Sequence, residues 1–191
     1  VQEKEQKTVE EQNRLYDRMQ QKTQSQLDQA KILAVRYGKA ETDEEKKRIL
    51  AHIVILGSYI KRRKDFVLSQ QGASVVSDHT LESAFGESYR SLGLLSIRGA
   101  YYVRTGQSQS SGERLAAAYD FFEYFMEPVL DTARYFNIHV GVVDGLLRCA
   151  VETDGAPDRD ALLRKYPAAR LSCDESGVTE CILPLEGGEA V

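Results

Sequence analysis

No run of eighteen apolar residues occurs in the 191-residue chain, so no segment is long and apolar enough to cross a bilayer as a helix. A secretory leader is equally missing. Cysteine is scarce: Cys149, Cys173 and Cys181 are odd in number and have no paired metal-ligand spacing, so they read as reduced thiols of a cytosolic protein. Neither proline nor glycine interrupts the chain before Gly38, so nothing there breaks a helix. A large excess of one charge is also lacking. Residues 1–70 carry 15 basic and 11 acidic side chains and the remainder 10 and 18, which leaves +4 in front and −8 behind. That front excess is too dilute for nucleic-acid binding but suits the cytoplasmic side of a membrane. The chain begins at Val1 and is expected to be the soluble part of something longer.

What is present supports one or two small domains, with 42% apolar residues to build a core. Residues 3–38 are rich in Glu, Gln, Lys and Arg and predict one long helix. Leu15, Met19, Thr23, Leu27, Ala30, Leu33 or Ala34, and Tyr37 form a narrow stripe along it. A stripe this narrow suits a parallel coiled coil with a second copy, or a helix lying along its own domain. Thr42 or Asp43 then caps a helix over about 43–70, with Ile49, Leu50, Ile53, Leu56, Ile60 and Val67 inward and Val54 and Ile55 broadening the face. It carries His52 and runs into Lys61-Arg62-Arg63-Lys64, whose default reading is a solvated face.

Residues 70–74 read as a turn. A third helix is expected over 80–104, a polar linker over 106–112, and a fourth helix over 113–135 that Pro128 kinks or divides. The period then changes from 3.6 to 2. Ile138–Val142 and Leu146–Val151 predict strands joined at Asp144-Gly145, and Asp158 to Lys165 a short helix. Arg170–Cys173 and Thr179–Leu183 predict a second hairpin. The fold class is α+β: a long helical linker and a dimerising helical bundle, then a small domain of helix plus antiparallel sheet.

This order of elements resembles the cytoplasmic transmitter of a bacterial sensor histidine kinase. Ile55-Leu56-Gly57-Ser58-Tyr59-Ile60 followed by Lys61-Arg62-Arg63-Lys64, and Ala117-Ala118-Tyr119-Asp120-Phe121-Phe122-Glu123, are similar to a Firmicutes-type group of histidine-kinase-like proteins. Gln2-Glu3-Lys4 and Asn13-Arg14-Leu15-Tyr16 resemble the region after their membrane part. The resemblance implies three parts: residues 1–40 as a coiled-coil linker, 41–106 as a dimerisation helical hairpin, and 107–191 as a degenerate ATPase-like domain. It also implies a homodimer, a missing N-terminal membrane region, a cytoplasmic location at the membrane face and a response-regulator partner.

The family transfers the γ-phosphoryl of Mg·ATP to a histidine on the first bundle helix. The resemblance puts His52 in that place, beside apolar Ile53 and Val54 where kinases commonly carry an acid. Glu123 fits the glutamate of the family's asparagine-bearing helix, but Glu127 stands where the asparagine belongs, and a carboxylate there repels phosphate. Asp154-Gly155 resembles the aspartate-glycine that contacts adenine, or is a simple turn. The glycine-rich lid is replaced by Ala156-Pro157-Asp158-Arg159-Asp160. His79 and His139 are poorly placed for a shared metal site. The leading expectation is therefore a dimeric signalling module with weak or no kinase activity, its cofactor ATP with Mg if active and otherwise none. The alternatives are an active autokinase or phosphotransferase using His52, and a non-catalytic protein-binding scaffold.

Overall fold

The computed structural model describes residues 2–69, 75–106 and 110–185. Helix α1 spans Gln2–Lys39 and α2 spans Asp43–Ser69. The turn between them is fixed by Thr42, whose hydroxyl accepts the Glu45 N–H at 3.1 Å, while Asp43, Glu44 and Glu45 complement the helix N-terminus. The two helices share a small cluster of Leu33, Ile49 and Leu56, with Ala30, Ala40 and Ile53 against it. Leu15, Met19 and Val67 of the expected stripes lie outside the described side chains.

Short β1 (Val75–Val76) precedes α3, Asp78–Leu92. A single 3₁₀ turn, Gly93–Leu95, follows, and then β2, Tyr101–Arg104. The sequence predicts one helix over this stretch; the chain instead leaves the helix at Gly93, and aromatic and β-branched Tyr101, Tyr102 and Val103 pair with the sheet. Gly99 permits this close approach, since a Cβ there would lie 1.7 Å from the Phe136 carbonyl oxygen. β3 (Ser110–Ser111) pairs with β1 and leads into α4, Gly112–Met126. Pro128 converts the continuation into a 3₁₀ turn, Glu127–Val129.

β4 (Phe136–Val143) and β5 (Leu146–Thr153) form the expected hairpin, with Asp144 and Gly145 both at positive φ. α5, Arg159–Lys165, is capped by the Asp158 carboxylate. β6 (Arg170–Cys173) and β7 (Thr179–Pro184) close the chain's sheet. The strand order is β2-β4-β5-β7-β6, antiparallel except for β2, which runs parallel to β4. The protein is thus mixed helix plus sheet.

One apolar core joins the sheet to four helices, α5 contributing Leu162. It contains Ile55, Tyr59 and Phe66 of α2, Phe85 and Leu92 of α3, Tyr119, Phe122 and Phe125 of α4, and Val140, Cys149 and Cys181 of the sheet. Each such aromatic contributes on the order of 2 kcal/mol by leaving water. α2 is therefore built into the C-terminal layer as well as into the hairpin.

Candidate functional site

The side chains singled out by sequence lie along the seam between α2 and the C-terminal layer. His52, on α2, is 17% exposed, and its Nε2 lies 3.2 Å from Asp131 Oδ1, just after α4. That contact is an ion-pair approach lacking hydrogen-bond geometry, and Nε2 is itself buried. Asp131 also accepts the Arg48 Nε–H at 2.8 Å, and its backbone carbonyl accepts from Arg48 Nη2 at 3.2 Å. Burial lowers the His52 pKa most; Asp131 pulls it up, and Arg48 and Arg36 push it down. Burial wins, so the imidazole is held neutral.

Two turns further along α2, Tyr59 donates its hydroxyl to Asp120 Oδ1 at 2.9 Å, and Arg63 Nε lies 2.7 Å from the same oxygen. The Arg63 side chain is 9% exposed, so Lys61 to Lys64 is not a uniformly solvated run. Lys61 and Arg62 both contact Glu87 on α3, the former at 2.9 Å. The expected inner face of α2 shifts accordingly: Leu50 is 44% exposed, while Ile55, Tyr59 and Phe66 are buried.

Glu123 is 2% exposed, and its Oε1 has no hydrogen-bond partner among the described residues. Burial first, then Glu127 and Asp120, push its pKa well above the usual carboxylate range, so it is carried as the neutral acid. Glu127 is half-buried, and burial raises its pKa as well. The structure therefore brings Glu123 and Glu127 together, one turn apart, Glu123 near Tyr59 of α2.

Asp154 is committed elsewhere. It accepts the Arg134 and Tyr135 backbone N–H groups at 2.8 and 3.1 Å and Arg134 Nε–H at 2.9 Å. These bonds hold its carboxyl below the usual range against partial desolvation. Gly155 is packed tight: a Cβ there would lie 2.7 Å from Val129 Cβ and 3.3 Å from Ala133 Cβ. Sequence reasoning missed Tyr59, Arg63, Asp120 and Asp131. The available signal was an acid embedded in an apolar run, as Asp120 is between Tyr119 and Phe121, because a buried acid needs a partner.

A shallow groove of about 240 Å³ is lined by Tyr102, Asn137, His139, Glu152 and Glu180, and His52, Glu123, Glu127, Asp154 and Gly155 are not part of it. Its side chains alternate along β4 with buried Phe136, Ile138 and Val140, so it lies on the outer sheet face. The His139 ring lies tilted against Tyr102 there, with centroids 5.2 Å apart, and His79 is exposed beside Glu82.

No family model and no curated protein matches the chain. Among solved structures, it is similar to the histidine kinase domain of a blue-light activated histidine kinase from Erythrobacter litoralis EL346, at 12% identity and a TM-score of 0.45, covering 83% of this chain and 96% of that one. A histidine kinase from Burkholderia phymatum STM815 gives 13% identity and a TM-score of 0.42, covering 89% and 99%. A histidine kinase from Acinetobacter baumannii gives 11% and 0.38, covering 93% and 98%.

Proposed function

We propose that the chain is the homodimeric signal-transducing module of a histidine-kinase-like sensor at the cytoplasmic face of a membrane, with weak or no kinase activity. The supporting observation is the use made of the residues that nucleotide chemistry would need. Glu123 is a buried neutral acid, Glu127 is half-buried one turn away with its pKa raised by burial, and Asp154 has its oxygens engaged by Arg134 and Tyr135. Gly155 is filled against Val129. A site for Mg·ATP needs ionised or neutral oxygen donors facing an open cleft, and this donor set does not fit one. His52 supports the same reading, since its Nε2 is covered at Asp131.

Dimerisation is supported by apolar side chains left open on the hairpin. Ile32 and Val35 on α1 are 67% and 61% exposed, and Leu50 and Val54 on α2 are 44% and 45% exposed. Movement of α1 against its dimer mate would reach the C-terminal layer through α2, whose aromatic side chains sit in the main core. The output is a change in the surface offered to a response-regulator partner.

The test is calorimetry with ATP, with and without Mg²⁺, alongside incubation with γ-labelled ATP. Absence of binding and of label is expected. Label on the protein that is lost in His52→Gln overturns the reading in favour of an active autokinase. Light scattering tests the dimer independently, and a monomer at high concentration overturns that part.

A further inference from the structure

On the outer sheet face, strand register sets two glutamates against each other. Glu152 of β5 and Glu180 of β7 are direct partners in the antiparallel ladder. Side chains so placed start about 5 Å apart, and two like charges there repel. Glu152 is held by a short chain of bonds. The Ala100 N–H donates to Asn137 Oδ1 at 3.0 Å, and Asn137 Nδ2 donates to Glu152 Oε1 at 3.1 Å. Glu152 Oε2 and the Glu180 carboxylate have no hydrogen-bond or ion-pair partner among the described residues. Both glutamates line the shallow groove, together with Tyr102, which is 50% exposed. Ala150, between His139 and Ile182 on the neighbouring strands, gives the groove a low floor. The His139 imidazole leans away from the glutamates: a Cβ at Gly141 would lie 2.9 Å from its Nε2.

No lysine or arginine lines the groove. The arginines of this face stand elsewhere in the register. Arg104 and Arg148 flank Gly141, where Arg104 donates to the Tyr102 hydroxyl at 3.3 Å and Arg148 lies 3.5 Å from Asp144. Arg170 is opposite Ile182, diagonal to Glu180, and forms no ion pair with it among the described residues. We propose that this groove binds the guanidinium of an arginine side chain on a partner protein. Two facing carboxylates offer acceptor oxygens to the forked N–H groups of one guanidinium, and a cation between them removes their repulsion. The Tyr102 ring gives the planar group a face to lie against. A lysine ammonium supplies the charge without the fork or the plane. The groove volume of about 240 Å³ falls below the roughly 300–1,000 Å³ of sites that enclose whole small molecules, so it suits one side-chain end. The groove is on the sheet face away from the helices, so it stands or falls apart from dimerisation and nucleotide binding.

Titration of acetyl-arginine-amide into the isotope-labelled whole chain tests this by NMR. Saturable shifts are expected at the backbone amides of Tyr102, Glu152 and Glu180. Acetyl-lysine-amide should bind more weakly, and acetyl-glutamine-amide should not bind. Glu152→Gln and Glu180→Gln keep the shape, and each should weaken the arginine probe about two- to fivefold, the range of a solvent-facing ion pair. Together they should abolish binding. The proposal is overturned by the absence of a saturable shift, by equal shifts from the glutamine probe, or by a double variant that binds like the wild type. A second readout does not depend on the probe. Because the two acids repel, Glu180→Gln should melt no lower than the wild-type chain. A lower melting temperature would show that this carboxylate already has a partner within the chain, and also overturns the proposal.

Discussion

Asp131 Oδ1 lies 3.2 Å from His52 Nε2, joining the middle of α2 to the turn that follows α4. The contact covers the imidazole nitrogen, and the same carboxylate holds Arg48. Removing the acid leaves His52 facing Arg48 and Arg36 without an opposing charge.

Asp131→Ala should therefore move the His52 titration lower still, followed by the imidazole Cε1 proton in NMR. An upward shift would show that Asp131 opposes protonation. The linkage sign follows from a folded-state pKa below the ordinary 6.5. The unfolded chain binds the proton more readily, so stability is present above pH 6.5 and declines as pH falls from there toward the folded value.

The Tyr59–Asp120–Arg63 contact makes a second prediction. Tyr59→Phe removes one hydrogen bond to a carboxylate and should cost about 1.5 kcal/mol in urea unfolding. Arg63→Met strips the charge partner from an acid that is 21% exposed, and should cost about 2–3 kcal/mol, below the range for fully buried pairs. The double variant should cost less than the sum, because both side chains serve one carboxylate oxygen. Strict additivity would separate the two contacts.

Much of this architecture is legible in the residues. Helix-forming side chains and the Thr42 cap give α1 and α2 nearly their observed limits, and Asp144-Gly145 marks the β4–β5 turn. β2 escaped because Leu92 and Leu95 sustain a helical spacing up to Tyr101-Tyr102-Val103, where the β-branched and aromatic run was the competing signal. The seam was less legible. Arg63 and Asp120 are 57 positions apart, and the basic run read as solvated because charge alone does not say what faces it. Glu123 and Glu127 were found through resemblance, but their burial is a tertiary fact with no local signature.

Two glycines test whether close packing, and not ligand contact, fixes their positions. A Cβ at Gly155 meets Val129 Cβ at 2.7 Å, so Gly155→Ala should shift the loop and cost about 1–3 kcal/mol. Gly99→Ala would set its methyl 1.7 Å from a backbone oxygen on the neighbouring strand. It should break the β2–β4 pairing and lower the melting temperature far more than Gly155→Ala. Equal melting temperatures would contradict the packing explanation.

The open face of the hairpin carries the last prediction. Val54→Glu and Ile32→Glu place a charge where the proposed dimer buries an apolar side chain, and two-fold symmetry makes each substitution count twice. Both positions are well exposed in the single chain, so its helicity should hold while the dimer dissociates. Each variant should raise the dissociation constant tenfold or more, or about 1.4 kcal/mol per tenfold step, by light scattering over a concentration series. A control at exposed Lys39, at the end of α1 beyond the apolar positions, should leave it unchanged. If Val54→Glu and the Lys39→Glu control behave alike, the apolar face is not where two copies meet.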